Sequence, residues 1–231
     1  MDTPWIKQIA PSNGEAKAIV IVTGFLTENA TKPYHHRPWI KILRKAGWDG
    51  SVYYFWWDSS NKSNSNSVLW QGPGYFTYWE KHKRRAKYSG RYYLEKLISK
   101  NLNEDSVSLI GHSLGARVLF FGLRDWSSSS RLKPESVFLL GGAVPKNRKW
   151  FQVAKKLKGR LFNIYNDEDK VLKIEYRISS FGLDPCGLRP ITQKHPRIVN
   201  INVSRMLGSS HDFERYMKTF PTLIQHHKLL F

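Results

Sequence analysis

Six short, nearly continuous apolar runs punctuate this chain at 18–22, 51–56, 106–110, 136–140, 160–165 and 197–203, and nothing else in it restricts the possible folds so tightly. Ala18-Ile19-Val20-Ile21-Val22 and Ser136-Val137-Phe138-Leu139-Leu140 are typical. A strand with one wet face alternates apolar with polar residues, whereas a strand covered on both faces does not, so runs of this kind predict a parallel sheet buried between layers. Helical stretches separate them, at 38–46, 75–100, 114–126 and 146–158. In the second, Tyr88, Tyr92, Leu94, Leu97 and Ile98 recur near helical spacing. Strand and helix in alternation, joined by right-handed crossovers, predict an α/β fold: a doubly wound, mostly parallel sheet sandwiched by helices. Ligands of such sheets gather beyond the carboxyl ends of the strands.

With 231 residues, 41% of them apolar, the chain can bury about 70% of its unfolded surface around one core, so a single domain over 1–231 is expected. Two segments break the rhythm. The Asn/Ser-rich stretch 58–67 leads into Trp70, Tyr75, Phe76, Tyr78 and Trp79, which predicts a surface loop or a cap over a pocket at about 57–80. Residues 181–196 carry Gly182, Pro185, Gly187, Pro190 and Pro196 and predict an ordered irregular excursion before the last strand. No long apolar run suggests a membrane-spanning helix, and residues 1–10 lack the pattern of a cleavable signal. The expected location is the cytoplasm, or outside it by a route that needs no such signal. The single Cys186 excludes an intramolecular disulfide framework and reads as a packed thiol.

Lysine and arginine number 37 against 18 acids, a formal net charge of +19. Such a field draws polyanions without choosing among them. The excess concentrates in Lys81, Lys83, Arg84, Arg85, Lys87 and Arg91, and in a segment without acids from Lys146 to Arg160. Two solvated helix faces are one reading; peripheral contact with an anionic membrane is another. Zinc-finger spacings and RNP-like strands are missing, so there is no specific nucleic-acid motif.

Chemistry enters at Gly111-His112-Ser113-Leu114-Gly115, a G-x-S-x-G sequence directly after one apolar run and before a helical stretch. At about 7% per residue the bare pattern arises by chance in roughly one chain in ten of this size, and its strand-to-helix setting is what gives it meaning. A serine on that turn takes a strained backbone conformation and stands clear of the sheet. It becomes a useful nucleophile when a histidine takes its proton and an acid fixes the histidine's tautomer. The order Ser, acid, His is expected, each on a loop after a strand. Asp167, Glu168 and Asp169 follow the run ending at Tyr165, and His211 follows the last run and precedes a short helix at 212–220. The other histidines fit less well, and His112 reads as orienting nearby backbone. An oxyanion hole needs two backbone N–H groups, here the amides of Leu114 and of Phe25, with Leu26 in reserve.

With these residues placed, the chain resembles the α/β-hydrolase superfamily, and more narrowly the domain of unknown function 726 family. The similarity runs from about Ile19 to Phe220. It is carried by Val22-Thr23-Gly24-Phe25-Leu26, the elbow from Gly111 to Val118, Gly141-Gly142-Ala143-Val144-Pro145 and Asn163-Ile164-Tyr165. It continues through Asp169-Lys170-Val171-Leu172, Tyr176-Arg177, Gly187-Leu188, Val203-Ser204 and Ser210-His211-Asp212. The resemblance selects Asp169 among the three acids and implies a serine hydrolase acting on carboxylic esters. The expectation is therefore an ester hydrolase with Ser113, His211 and Asp169 as catalytic residues, needing no metal or cofactor; the aromatic-rich stretch and the positive charge, not the resemblance, make it lipase-like or phospholipase-like. A thioesterase or peptidase could use the same triad, and a noncatalytic scaffold binding a protein or anionic polymer is the alternative of a different class.

Overall fold

The computed structural model describes residues 2–24, 33–59, 73–176 and 182–227. Seven strands form one sheet: β1 (Trp5–Ala10), β2 (Lys17–Val22), β3 (Ser51–Trp56), β4 (Ser106–His112), β5 (Pro134–Leu140), β6 (Leu161–Tyr165) and β7 (Ile198–Asn202). Their spatial order is β1-β3-β2-β4-β5-β6-β7. Every neighbouring pair is parallel except β1 with β3. The mostly parallel, doubly wound architecture expected from the apolar runs is the one observed. β1 escaped that reading because Trp5-Ile6-Lys7-Gln8-Ile9-Ala10 is no continuous apolar run; it is an antiparallel edge strand with exposed Lys7 and Gln8.

The helices are α1 (Pro33–Lys45), α2 (Pro73–Ser89), α3 (Glu95–Asn101), α4 (Leu114–Arg124), α5 (Trp150–Ala154), α6 (Ser204–Leu207) and α7 (Phe213–His227). They cover the sheet on both sides. Because side chains alternate along a strand, Ile19 and Ile21 pack with Phe138, Leu140, Phe162 and Ile164 beneath Trp39 and Leu43 of α1 and Met217 and Phe220 of α7. Val20 and Val22 face the other way, joining Leu109, Val137, Leu139 and the buried faces of α2 to α5. Each such buried aliphatic side chain contributes roughly 1.5–3 kcal/mol.

Several expected elements differ in extent. The stretch at 75–100 is not one helix: a π-helical turn at Gly90–Leu94 separates α2 from α3. The helix expected at 146–158 contracts to α5, because its first residues are held by tertiary contacts, with the Lys146 amide donating to the Asp184 carbonyl at 3.0 Å. The final helix is longer than 212–220 and continues to His227. Within 181–196, residues 182–196 form the irregular excursion foreseen, tied to the loop after β5 by a bridge between Pro145 and Pro185. Most of the cap expected at 57–80 lies outside the described residues, as do Phe25 and Leu26.

Candidate active site

Parallel pairing brings the carboxyl ends of the strands into line. Val22 pairs with Gly111, His112 with Leu140, and Tyr165 with Asn202. The residues that follow, namely Thr23, Ser113, Gly141, Asn166 and Val203, therefore share one rim.

Ser113 stands between β4 and α4 with φ 53° and ψ −120°, and among the described residues it is the one non-glycine with positive φ. The strain is maintained by hydrogen bonds on both sides: its amide donates to Leu140 at 3.0 Å, and its carbonyl accepts from Ala143 at 2.9 Å. The turn also needs its glycines. A Cβ at Gly115 would lie 2.1 Å from the Val22 carbonyl oxygen, and one at Gly111 would lie 2.7 Å from the Leu119 side chain. Gly24 runs so close over the serine that a Cβ there would meet the Ser113 Cβ at 2.7 Å. The Leu114 amide opens α4 and so has no acceptor within the helix. Phe25, the other expected oxyanion donor, lies outside the described residues.

The loops after β6 and β7 are laced together. Asn166 donates through Nδ2 to the carbonyls of Gly208 (2.7 Å) and Ser210 (3.0 Å), and the Lys170 amide donates to Ser209. This lacing brings His211 against Asp169, where Nδ1–H donates to Oδ2 at 2.5 Å. Asp169 is wholly buried, and its other oxygen accepts from the Leu172 amide at 2.9 Å. The remaining two acids are placed elsewhere. Asp167 accepts from Asn202 on β7, and Glu168 is exposed. Hydrogen bonds from Ser204 and, after the opposing effect of burial, Asn202 hold the Asp167 carboxyl below the usual range.

The other ring nitrogen of His211, Nε2, is buried and makes no hydrogen bond. No hydrogen bond joins it to Ser113. What joins the two loops is His112. Its Nε2–H donates to the His211 carbonyl at 2.9 Å, and the two imidazole rings lie 4.9 Å apart. Burial first, and the neighbouring His211 second, hold the His112 imidazole well below its ordinary pKa and therefore neutral. The expectation that His112 orients backbone is met, on a loop 99 residues away. Tyr216 was not anticipated. Its hydroxyl is buried without a partner, its ring packs 5.8 Å from that of His112, and burial, with Asp169 adding to it, raises its pKa well above the ordinary value. Asn166 was not anticipated either. Its position directly after a strand was the available signal.

Cys186 is a buried thiol whose pKa burial raises strongly. Among the described residues no group of three His, Cys, Asp or Glu side chains is placed to hold a metal ion, and no helix is long and apolar enough to cross a membrane.

Strand order, a strained serine at the turn into α4 and an acid-bound histidine on a loop tied to His112 are the features of an α/β-hydrolase fold. Among solved structures, LpqC, a poly(3-hydroxybutyrate) depolymerase from Bordetella parapertussis, superposes with a TM-score of 0.57 at 11% identity over 97% of this chain and 84% of that one. At that identity the likeness is one of fold. The chain belongs to the family described as protein of unknown function (DUF726), whose model matches residues 77–227. An uncharacterized membrane protein of Schizosaccharomyces pombe is 33% identical over 149 residues, 63% of this chain and 19% of the relative. A protein named probable lipase MIL1, of Saccharomyces cerevisiae, is 28% identical over 149 residues, 64% of this chain and 14% of the relative. The chain thus spans less than a fifth of the length of either.

Proposed function

We propose that this chain is a serine hydrolase of carboxylic esters, lipase-like or phospholipase-like, working through an acyl-enzyme. The observation that carries the reading is the pairing of Asp169 with His211 at 2.5 Å, which leaves His211 Nε2 buried and without a partner on a loop tied to the residue next to Ser113. In the first half-reaction the Ser113 Oγ attacks the acyl carbonyl carbon while His211 Nε2 takes the hydroxyl proton. Asp169 stabilises the imidazolium. The amides of Leu114 and Phe25 hold the oxyanion, each such donor being worth about 100- to 1000-fold in turnover. The tetrahedral intermediate expels the alcohol, which receives the proton from His211. Water, deprotonated by the same nitrogen, then releases the acid and restores Ser113.

The name of the yeast relative, probable lipase, supports a lipid ester as substrate. The net charge of +19 supports peripheral contact with an anionic membrane. On this reading the chain acts as one domain, in the cytoplasm or after export by a route that needs no cleavable signal.

The test is hydrolysis of a panel of p-nitrophenyl acyl esters, with matched thioesters and anilides. Turnover of the oxygen esters should fall at least about 1000-fold in Ser113→Ala and about 10,000-fold in Asp169→Asn, which upsets the histidine tautomer. Ester turnover that survives Ser113→Ala refutes the nucleophile. Preference for the thioester or anilide moves the reading to a thioesterase or peptidase.

A further inference from the structure

The two basic segments of the sequence meet at one side chain. α2 contributes Lys83 and Lys87, α4 contributes Arg117 and Arg124, and the loop after β5 contributes Arg148. Four of these five cations surround the ring of Phe121: Arg117 and Arg124 at 5.1 Å from its centroid, Lys87 and Arg148 at 5.5 Å. Arg148 also lies 5.8 Å from the ring of Phe120. The reading of these segments as solvated helix faces fails for Lys83, which is 8% exposed; Arg117, on α4 and outside both segments, is buried to the same degree.

Nearby acids do not match this concentration of charge. Glu80 is engaged with Lys83, and Asp125 takes both Arg124 and Arg91. Among the described residues, Arg117, Arg148 and Lys87 have no carboxylate in ion-pair contact. Arg117 makes one side-chain hydrogen bond, from Nε to the Lys83 carbonyl at 3.0 Å, which leaves both ends of its planar fork uncommitted. Arg148 Nε is sealed from solvent and makes no hydrogen bond. Burial, with Arg148 adding to it, lowers the Arg117 pKa to about 10. Burial likewise lowers that of Lys83, with Arg117 and Arg148 contributing. Gathering unpaired cations in a dry place costs stability, and an aromatic ring offsets only part of that cost.

We propose that Arg117, Arg148 and Lys87, gathered about the ring of Phe121, form a binding site for a phosphate monoester, with Arg117 its most buried cation and Lys87 its most exposed. A phosphate monoester carries close to two negative charges and three acceptor oxygens, enough to engage two guanidinium forks and an ammonium together. A carboxylate brings one charge and two oxygens, and would leave cations unpaired. The site lies one turn of α4 beyond Ser113 but is independent of the hydrolase reading, since it rests on none of the residues placed in that reaction. The phosphate could belong to a lipid headgroup or to a soluble ester.

The test is titration calorimetry of the full chain with inorganic phosphate at constant ionic strength, against Arg148→Gln, Lys87→Gln and the control Lys100→Gln, which removes an equal charge from α3. Saturable binding is expected. It should weaken about tenfold or more in Arg148→Gln, weaken measurably in Lys87→Gln and stay unchanged in the control. Both test positions reach solvent, so these variants are expected to fold, and circular dichroism checks that they do. No phosphate binding by the parent chain, or equal weakening in Arg148→Gln and Lys100→Gln, overturns the site. Two further arms identify the source and both support the site. Sedimentation with phosphatidic acid vesicles that is lost in Arg148→Gln assigns a lipid headgroup, whereas binding of glycerol 3-phosphate without vesicle binding assigns a soluble ester.

Discussion

His112 shows how a residue beside the proposed nucleophile can matter by holding a second loop in place. As the donor that holds the His211 carbonyl, it must keep Nε2 protonated and Nδ1 bare, and the site keeps the ring neutral by burying it. The consequence is a pH dependence of stability. In the unfolded chain this imidazole takes up a proton near its ordinary value of 6.5, while in the fold it resists protonation. The unfolded state therefore binds more protons as pH falls below about 6.5, and stability declines there. In His112→Gln the side-chain amide can still donate to the carbonyl but does not titrate. Urea denaturation between about pH 5 and 8 should show a shallower acid slope for this variant than for the parent, and an identical slope would contradict the assigned role. The proposed triad of Ser113, Asp169 and His211 could be read from the sequence as candidates because each follows a strand, a pattern set by fold topology. Asp169 could not be separated from Asp167 and Glu168 in that way; the separation depends on which of three adjacent carboxylates the lacing by Asn166 turns toward His211. Tyr216 was illegible because it is one buried aromatic among several on α7, and its place beside His112 is set by helix docking.

At the scale of elements, the crossing of α4 with the turn after α2 is set by glycine. A Cβ at Gly90 would sit 2.2 Å from the Val118 carbonyl oxygen and 3.1 Å from the Gly122 amide nitrogen. By helix propensity alone, Gly90→Ala should stabilise by about 1 kcal/mol. The steric conflict is with backbone, which moves little, and should cost roughly 3 kcal/mol. The conflict wins, so the variant should lose roughly 2 kcal/mol net and several degrees of Tm by calorimetry; a higher Tm would show that the helices can separate without cost. This crossing also explains an unforeseen break. Apolar spacing at 75–100 is nearly continuous, yet close approach at Gly90 shifts the hydrogen-bond ladder into a π-helical turn. Likewise, the segment after β5 has helical composition from Lys146 onward, but its backbone is engaged by the excursion at 182–196 and forms helix only from Trp150. Strands were more legible than helices because burial on both faces leaves an unbroken apolar run, whereas helix limits are decided by docking.

Taken whole, the molecule combines a candidate catalytic rim at the carboxyl ends of β2, β4, β6 and β7 with a cationic cluster around Phe121 of α4. The charge was visible in the sequence, but its convergence was not, since Lys83, Arg117 and Arg148 come from three separated segments. The relatives that this chain matches are far longer, and the hydrolase reading concerns this chain's own residues. Its central claim is that Ser113 is a nucleophile activated by His211 and Asp169. The most direct measurement is reaction of the intact chain with a fluorophosphonate, followed by mass spectrometry of its peptides. The expected result is a single adduct on the peptide containing Ser113, absent in Ser113→Ala and formed at least about 100-fold more slowly in His211→Ala. An adduct on another residue, or labelling of Ser113→Ala at the parent rate, would contradict it.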